Sequence, residues 1–302
     1  MFWKKKNKKT PGPKDTKTKQ DNGLAEIKVV IRTDLGNLRT NNEDAASFFR
    51  VKEENLIRER GYLLLVADGM GGHQAGEVAS NMAVEIISRE YYKSGKQPET
   101  EKLLARAFQT ANKKIFELSS SNEKYRGMGT TCTALVILDK KIFFAHAGDS
   151  RAYLLKDKSL TKLTEDHTYV QQLVKNGNIT QAEAETHPQR NILTNAMGTK
   201  PEMRVDTGEY PGNFDQQDRV MICSDGLYDY LSDKEIAGTL SLETLEQAAD
   251  YFIAEAKRRG GKDNITVAMA EKKEIPKETN LKLTRDVDLP KITRDVDIPQ
   301  DY

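Results

Sequence analysis

The chain has only two cysteines in 302 residues, Cys132 and Cys223, and each lies inside an apolar run. A disulfide framework is therefore excluded as a source of stability, and the two read as buried thiols in a reducing compartment. A structural zinc site needs four soft ligands, which two cysteines cannot supply without borrowing from four scattered histidines. No apolar stretch approaches the about 18 residues that cross a bilayer; the longest, such as Tyr62–Ala67, are strand-sized. An excess of one charge is also missing. Lys and Arg total 47 against 46 Asp and Glu, a net charge of +1, so no global field draws the chain to nucleic acid or to a membrane. The Met-Phe-Trp start runs into lysines with no apolar segment behind them, unlike a secretory signal, and a cytoplasmic location is expected.

The hydrophobic share, 37%, is enough to core one large domain or two small ones, but it is unevenly spread. Residues 1–22 carry eight lysines and little that is apolar after Trp3, which reads as a basic disordered tail. Strands are expected at Glu26–Arg32, Ala45–Val51, Gly61–Ala67, Thr131–Leu138, Lys141–Ala147, Ala152–Leu155, Arg219–Cys223 and Asn264–Ala270. Apolar residues recur at helical spacing through Val78, Met82, Ile86 and Tyr91, again through Leu104, Phe108, Ala111, Ile115 and Leu118, and over Leu245–Lys257. Residues 161 to about 203 are polar and read as a small helical excursion. Many strands with a few long helices, in no regular alternation, indicate an α+β protein with a layered antiparallel sheet. Residues 273–302 are charged and proline-punctuated and hold a duplication, KLTRDVDLP followed by KITRDVDIP.

The chemistry lies in acidic turns. Asp68-Gly69 follows GYLLLVA, Asp149-Ser150-Arg151 follows IFFAHAG, Asp225-Gly226 follows RVMICS, and Asp263-Asn264 precedes the last strand. An earlier segment, Arg39-Thr40-Asn41-Asn42-Glu43-Asp44, ends in a further carboxylate. A single Asp-Gly is ordinarily just a turn. Four such turns, each abutting an apolar strand, would bring carboxylates to one mouth, where they repel one another unless cations neutralise them. Hard oxygen ligands favour Mg²⁺, Mn²⁺ or Ca²⁺ over zinc.

VADGMGGH (Val66–His73), GDSR (Gly148–Arg151), SDGL (Ser224–Leu227) and DN (Asp263-Asn264), in this order and at these separations, resemble the type 2C family of metal-dependent protein phosphatases. RTNNED fits the family's opening motif. LTEDHT (Leu163–Thr168) and HPQRNILTNAMG (His187–Gly198) resemble the lid region of its bacterial branch. The resemblance runs from about residue 25 to 271. It implies a four-layer αββα sandwich, a central antiparallel β-sandwich flanked by helices, with a small lid or flap over about 161–203. The catalytic domain would span 23–272.

For the site, the resemblance implies two, and up to three, Mn²⁺ or Mg²⁺ ions. Asp68 would bridge two of them, Gly69 would offer its carbonyl, and Asp225 and Asp263 would complete one ion's ligands. Asp149 would join Asp225 at a third ion, and Asp44 would act near the cluster through water. Arg39 would grip the substrate phosphate. The expected reaction is hydrolysis of phosphoserine and phosphothreonine in proteins, reversing bacterial Ser/Thr kinases, with phosphorylated proteins and those kinases as partners. The chain departs from eukaryotic members at Met70, where they place a general-acid histidine; His73 follows three residues on and is the catalytic candidate here. His146 reads as a buried structural histidine, and His167 and His187 as residues that shape the lid.

Two rival readings are a binding module with a decayed site, opposed by the intact aspartate set, and a metal-dependent nuclease or small-molecule phosphatase. The nuclease lacks a basic face on the core, since the lysines cluster in the tail. Phe2-Trp3 and the adjoining lysines suit weak peripheral contact with anionic lipid. The duplicated C-terminal segment suits a docking partner that gains from two copies.

Overall fold

The computed structural model describes residues 26–49, 53–71, 75–93, 99–242 and 244–273. The basic tail, His73 and the duplicated C-terminal segment lie outside the described residues. In chain order the elements are β1 (Glu26–Asp34), β2 (Asp44–Phe49), α1 (Glu54–Arg60), β3 (Tyr62–Met70), α2 (Ala75–Tyr92), α3 (Thr100–Ser121), β4 (Gly129–Thr130), β5 (Cys132–Leu138), β6 (Lys141–Ala147), β7 (Arg151–Lys156) and β8 (Ser159–Lys162). Then come α4 (Tyr169–Lys175), α5 (Gln181–Thr186), β9 (Asp206–Glu209), β10 (Arg219–Cys223), α6 (Asp225–Tyr228), α7 (Asp233–Leu240), α8 (Leu245–Arg259) and β11 (Ile265–Lys273).

The strands form two antiparallel sheets. One has the order β1-β11-β10-β7-β8; the other runs β2-β3-β5-β6-β9, with β4 paired to the end of β3. The continuous apolar run of β3 is explained by burial on both faces, because successive side chains point opposite ways. Leu63, Leu65 and Ala67 pack outward with Val78, Met82 and Ile86 of α2 and Leu104 and Phe108 of α3. Leu64 and Val66 point inward and meet Leu135 of their own sheet and Leu154, Val220 and Ile222 of the other. On the far side, Leu245, Ala249 and Phe252 of α8 and Ile236 of α7 cover Met221, Cys223 and Val267. The result is the four-layer αββα sandwich, with each buried Leu, Ile or Phe contributing roughly 1.5–3 kcal/mol.

Local chemistry sets the ends of these elements. The Thr244 side chain accepts from Gln247 N while Gln247 reaches back to Thr244 N, starting α8 with a capping box. Lys257, Arg258 and Arg259 lie in its last turn, where cations complement the helix dipole. Ser232 and Glu235 form the same box at the start of α7. At the β5–β6 hairpin the chain turns through Asp139, with φ of 54°.

Several expected boundaries move. β2 begins at Asp44 and ends at Phe49, with 50–52 outside the described residues. β3 does not stop at Ala67 but continues through Asp68-Gly69-Met70, because β4 supplies ladder partners, Thr130 opposite Gly69 and Gly129 opposite Met70. Residues 161 and 162 close β8, so the polar excursion starts at Leu163 and contains α4 and α5. β11 reaches Lys273, paired along its length with β1. Cys132 and Cys223 are both free and fully buried, and burial pushes both thiols up. Among the described residues no helix is long and apolar enough to cross a membrane.

Candidate metal centre

The acidic residues come from different elements but gather at one end of the sandwich. Asp44 opens β2 and stands directly opposite Asp68 of β3 in the ladder. Asp225 is the first residue of α6, Asp149 lies in the turn between β6 and β7, and Asp263 immediately precedes Asn264 and β11. Crowding by protein raises the Asp68 carboxyl well above the usual range, and the charges of Asp44, Asp225, Asp149 and Asp263 raise it further. Asp225 is raised in the same way, first by burial and then by Asp149, Asp229, Asp263 and Asp44. Asp149 is pushed up to about 7, mainly by burial and then by Asp166. Asp44 rises to about 6 through burial, tempered by hydrogen bonds from Thr266 and Ser224. These five carboxylates therefore feel one another's charge.

Their positioning is specific. The Ser224 hydroxyl donates to Asp44 Oδ2 at 2.8 Å and accepts from Thr266 N at 3.0 Å, tying β2 to the α6 start and to β11. Asp68 N donates to Thr131 Oγ1 at 3.0 Å. Asn264 is a hub. Its Oδ1 accepts from Glu43 N at 2.8 Å, and its Nδ2 donates to Asn41 O at 3.0 Å and Leu35 O at 3.2 Å. The loop carrying Arg39 is thus sewn to the turn carrying Asp263. Gly69 has no room for a side chain: a Cβ there would lie 2.2 Å from Gly76 O and 2.5 Å from Glu43 O, so the backbones of α2 and of the 41–43 loop can close on β3 only at glycine.

Arg39, half exposed, donates from one guanidinium nitrogen to Asp263 Oδ2 at 2.6 Å. Its pKa is raised, chiefly by this bond. Beside them opens a cavity of about 320 Å³ lined by Asp225, Asp229, Asp263, Lys262, Arg190 and Asn191, among others. Arg190 belongs to the 163–205 excursion and reaches Asp229 at 3.0 Å.

The donor set fits hard divalent cations. Asp225 Oδ1 is buried and has no hydrogen-bond partner among the described residues. Among the described residues, the member of the five that has a salt bridge is Asp263, to Arg39. Uncompensated oxygen donors of this kind call for a hard divalent cation. Even so, no three His, Cys, Asp or Glu side chains among the described residues close around one point tightly enough to hold an ion alone. Asp263 leans toward Arg39 and Asp44 toward Ser224. An ion here would take part of its shell from water and backbone oxygen.

The histidines stand apart. His146 is fully buried in β6 with Nδ1 against Thr133 Oγ1 at 2.8 Å. His187 follows α5, where its Nδ1 accepts from Gln189 N at 3.1 Å. His167 is buried against the Asp149 turn. Sequence reasoning gave no role to Ser224, Asn264 or Asp166. All three lay inside quoted motifs, but their partners lie elsewhere in the chain, 15 residues away for Asp166, 180 for Ser224 and 221 for Asn264.

The profile of the protein phosphatase 2C family matches residues 39–264. The chain is 40% identical over 246 residues to the serine/threonine phosphatase stp of Listeria monocytogenes serotype 4b, covering 80% of this chain and 94% of that one. It is similar to the solved Streptococcus agalactiae serine/threonine phosphatase, with a TM-score of 0.73 and 37% identity over 82% of this chain and 99% of that one. It is also similar to the catalytic domain of the serine/threonine protein phosphatase PstP solved with two manganese ions, with a TM-score of 0.68 and 34% identity over 82% and 99% of the two chains.

Proposed function

Because the chain belongs to the protein phosphatase 2C family, we propose that it is a metal-dependent enzyme that hydrolyses phosphoserine and phosphothreonine in proteins and so reverses bacterial Ser/Thr kinases. The observation that carries this reading is the convergence of five carboxylates, of which Asp225 and Asp263 line a cavity and Asp263 is held by Arg39. Divalent ions bound there would make a water acidic enough to act as hydroxide near neutral pH and would offset charge on the phosphoryl group.

Asp68, Asp225 and Asp263, with the Gly69 carbonyl, are the groups we assign to holding two ions, Mn²⁺ or Mg²⁺. The pairing of Asp149 with Asp225 supports a third, and Asp44 steadies the cluster through water. Arg39 binds the substrate phosphate. Its planar fork meets two phosphate oxygens at once, and its present partner, Asp263, marks the place where such an anion sits. A phosphate that took over the guanidinium would leave Asp263 free to serve as a metal ligand. His73 is our candidate for protonating the leaving alkoxide. The excursion over 163–205 acts as the lid, since Arg190 and Asn191 bring it to the cavity wall. We further assign a cytoplasmic location, weak lipid contact to the basic tail and a docking partner to the duplicated C-terminal segment.

Phosphate release from a phosphothreonine peptide tests the reading. Turnover with Mn²⁺ that stops in EDTA is expected; a metal-loaded, folded protein without turnover would sink it.

A further inference from the structure

Thr164, Asp166, His167 and Thr168 are buried beside Asp149, although the proposed chemistry gives them no task. Asp166 and His167 grip the Asp149 turn from both flanks. On one side, Arg151 Nε donates to Asp166 Oδ1 and Oδ2 at 3.2 and 3.0 Å, and another guanidinium nitrogen donates to Oδ2 at 2.7 Å. The same guanidinium lies 3.6 Å from the centroid of the Tyr228 ring, and the Tyr228 hydroxyl donates to Asp149 O at 3.1 Å.

On the other side, one residue takes both backbone groups of Gly148. His167 N donates to Gly148 O at 2.7 Å, and Gly148 N donates to His167 Nδ1 at 3.1 Å. Asn195 Nδ2 donates to the same Nδ1 at 2.9 Å. Nδ1 is therefore the lone-pair nitrogen, and the proton sits on Nε2, which donates to Asp206 Oδ2 at 3.1 Å. Arg204 holds Asp206 through two further bonds, at 2.6 and 2.7 Å. The His167 carbonyl accepts from Thr194 N at 2.8 Å. Only glycine fits at the centre of this clamp. Its φ is +114°, and a Cβ there would lie 2.5 Å from Thr131 Cβ.

We propose that His167 is a positioning residue, a latch that fixes the Gly148–Asp149–Ser150 turn to the base of the 163–205 excursion, so that divalent-ion binding at Asp149 depends on the excursion being seated. Asn195 and Asp206 bracket the end of the excursion, and both bond to the ring that also accepts from Gly148 N and lies 4.8 Å from the His146 ring. Losing the ring removes the bonds to Gly148 N, Asn195 and Asp206 at once and so loosens the turn and the excursion together. This rests on the reading of Asp149 as a metal-binding residue.

The test uses the full chain with Mn²⁺ alone as the probe. Calorimetric Mn²⁺ titrations and limited trypsin digestion in EDTA are run on wild type, His167→Ala and His167→Asn. Trypsin has sites inside the excursion at Lys175 and Arg190. In His167→Ala we expect the weakest Mn²⁺ step to need roughly tenfold more metal and cleavage to quicken by about the same factor, the worth of one or two lost hydrogen bonds. His167→Asn keeps an acceptor facing Gly148 N but loses the donor to Asp206. It should fall between wild type and His167→Ala on both readouts, needing more Mn²⁺ than wild type and digesting faster. If His167→Ala leaves the isotherm unchanged, the latch is overturned, whether or not cleavage quickens. If the alanine variant fails to fold, the asparagine variant decides: unchanged digestion overturns the latch. Absence of any Mn²⁺ uptake by the wild type would overturn the metal reading and the latch's role in it together.

Discussion

Asp44 and Asp68 face each other directly across the β2–β3 ladder, so two carboxylates share one position where neighbouring side chains are closest. Such a pair is a fault in a sheet unless a cation lies between or beside its members. In EDTA, Asp68→Asn should therefore be more stable than wild type, by up to about 1 kcal/mol for like charges directly opposed. Excess Mn²⁺ should reverse the order, because only the wild type gains binding free energy on folding. Thermal melts with and without metal check this, and a mutant stabilised by Mn²⁺ as strongly as wild type would contradict it.

Arg39 contributes through geometry as well as charge. Arg39→Ala should lower kcat/KM for a phosphothreonine peptide by roughly tenfold to a hundredfold, the worth of a charged hydrogen bond. Arg39→Lys keeps the charge but not the fork and should recover only part of the loss. Steady-state kinetics separate these outcomes; full recovery by lysine would show that charge alone suffices.

His146 gives stability a pH dependence of its own, apart from that of the carboxylates. Thr133 Oγ1 donates to Ser150 O at 2.9 Å, so at 2.8 Å it accepts from His146 Nδ1, while His146 Nε2 is buried without a partner among the described residues. Burial, with His167 beside it, lowers the His146 pKa from 6.5 to about 4. A base with a depressed folded pKa leaves stability intact above its unfolded value and loses it as pH falls toward the folded one. Wild type should lose on the order of 3 kcal/mol between pH 6.5 and 4 from this group. In His146→Asn that component is absent, so denaturant midpoints of the two proteins should converge over this window; a constant gap would refute the assignment.

The frame of this fold was legible because it rests on periodicity. The run Leu63–Ala67 and the stripes of α2 and α3 each carry a local pattern. α1 was not legible: within ENLIRER only Ile57 and Arg60 are buried, too little to make a stripe. α7 was missed although Ser232 and Glu235 spell its capping box. At the site, the sequence could name the aspartates but not what holds them. Ser224 reaches Asp44 across 180 residues and Asn264 reaches Glu43 across 221. Such partners are set by sheet order, which no window of sequence carries. Strand ends misled for the same reason, since β3 runs on through Asp68 only because β4 folds back to pair with it.

The most direct measurement is phosphate release from a phosphothreonine peptide in Mn²⁺ by wild type and Asp225→Ala, with melts in EDTA to establish that both are folded. Asp225 carries a buried oxygen without a hydrogen-bond partner among the described residues, so its removal should spare the fold. The account predicts metal-dependent turnover in the wild type and its loss in the mutant. A folded Asp225→Ala protein that turns over at the wild-type rate would contradict it.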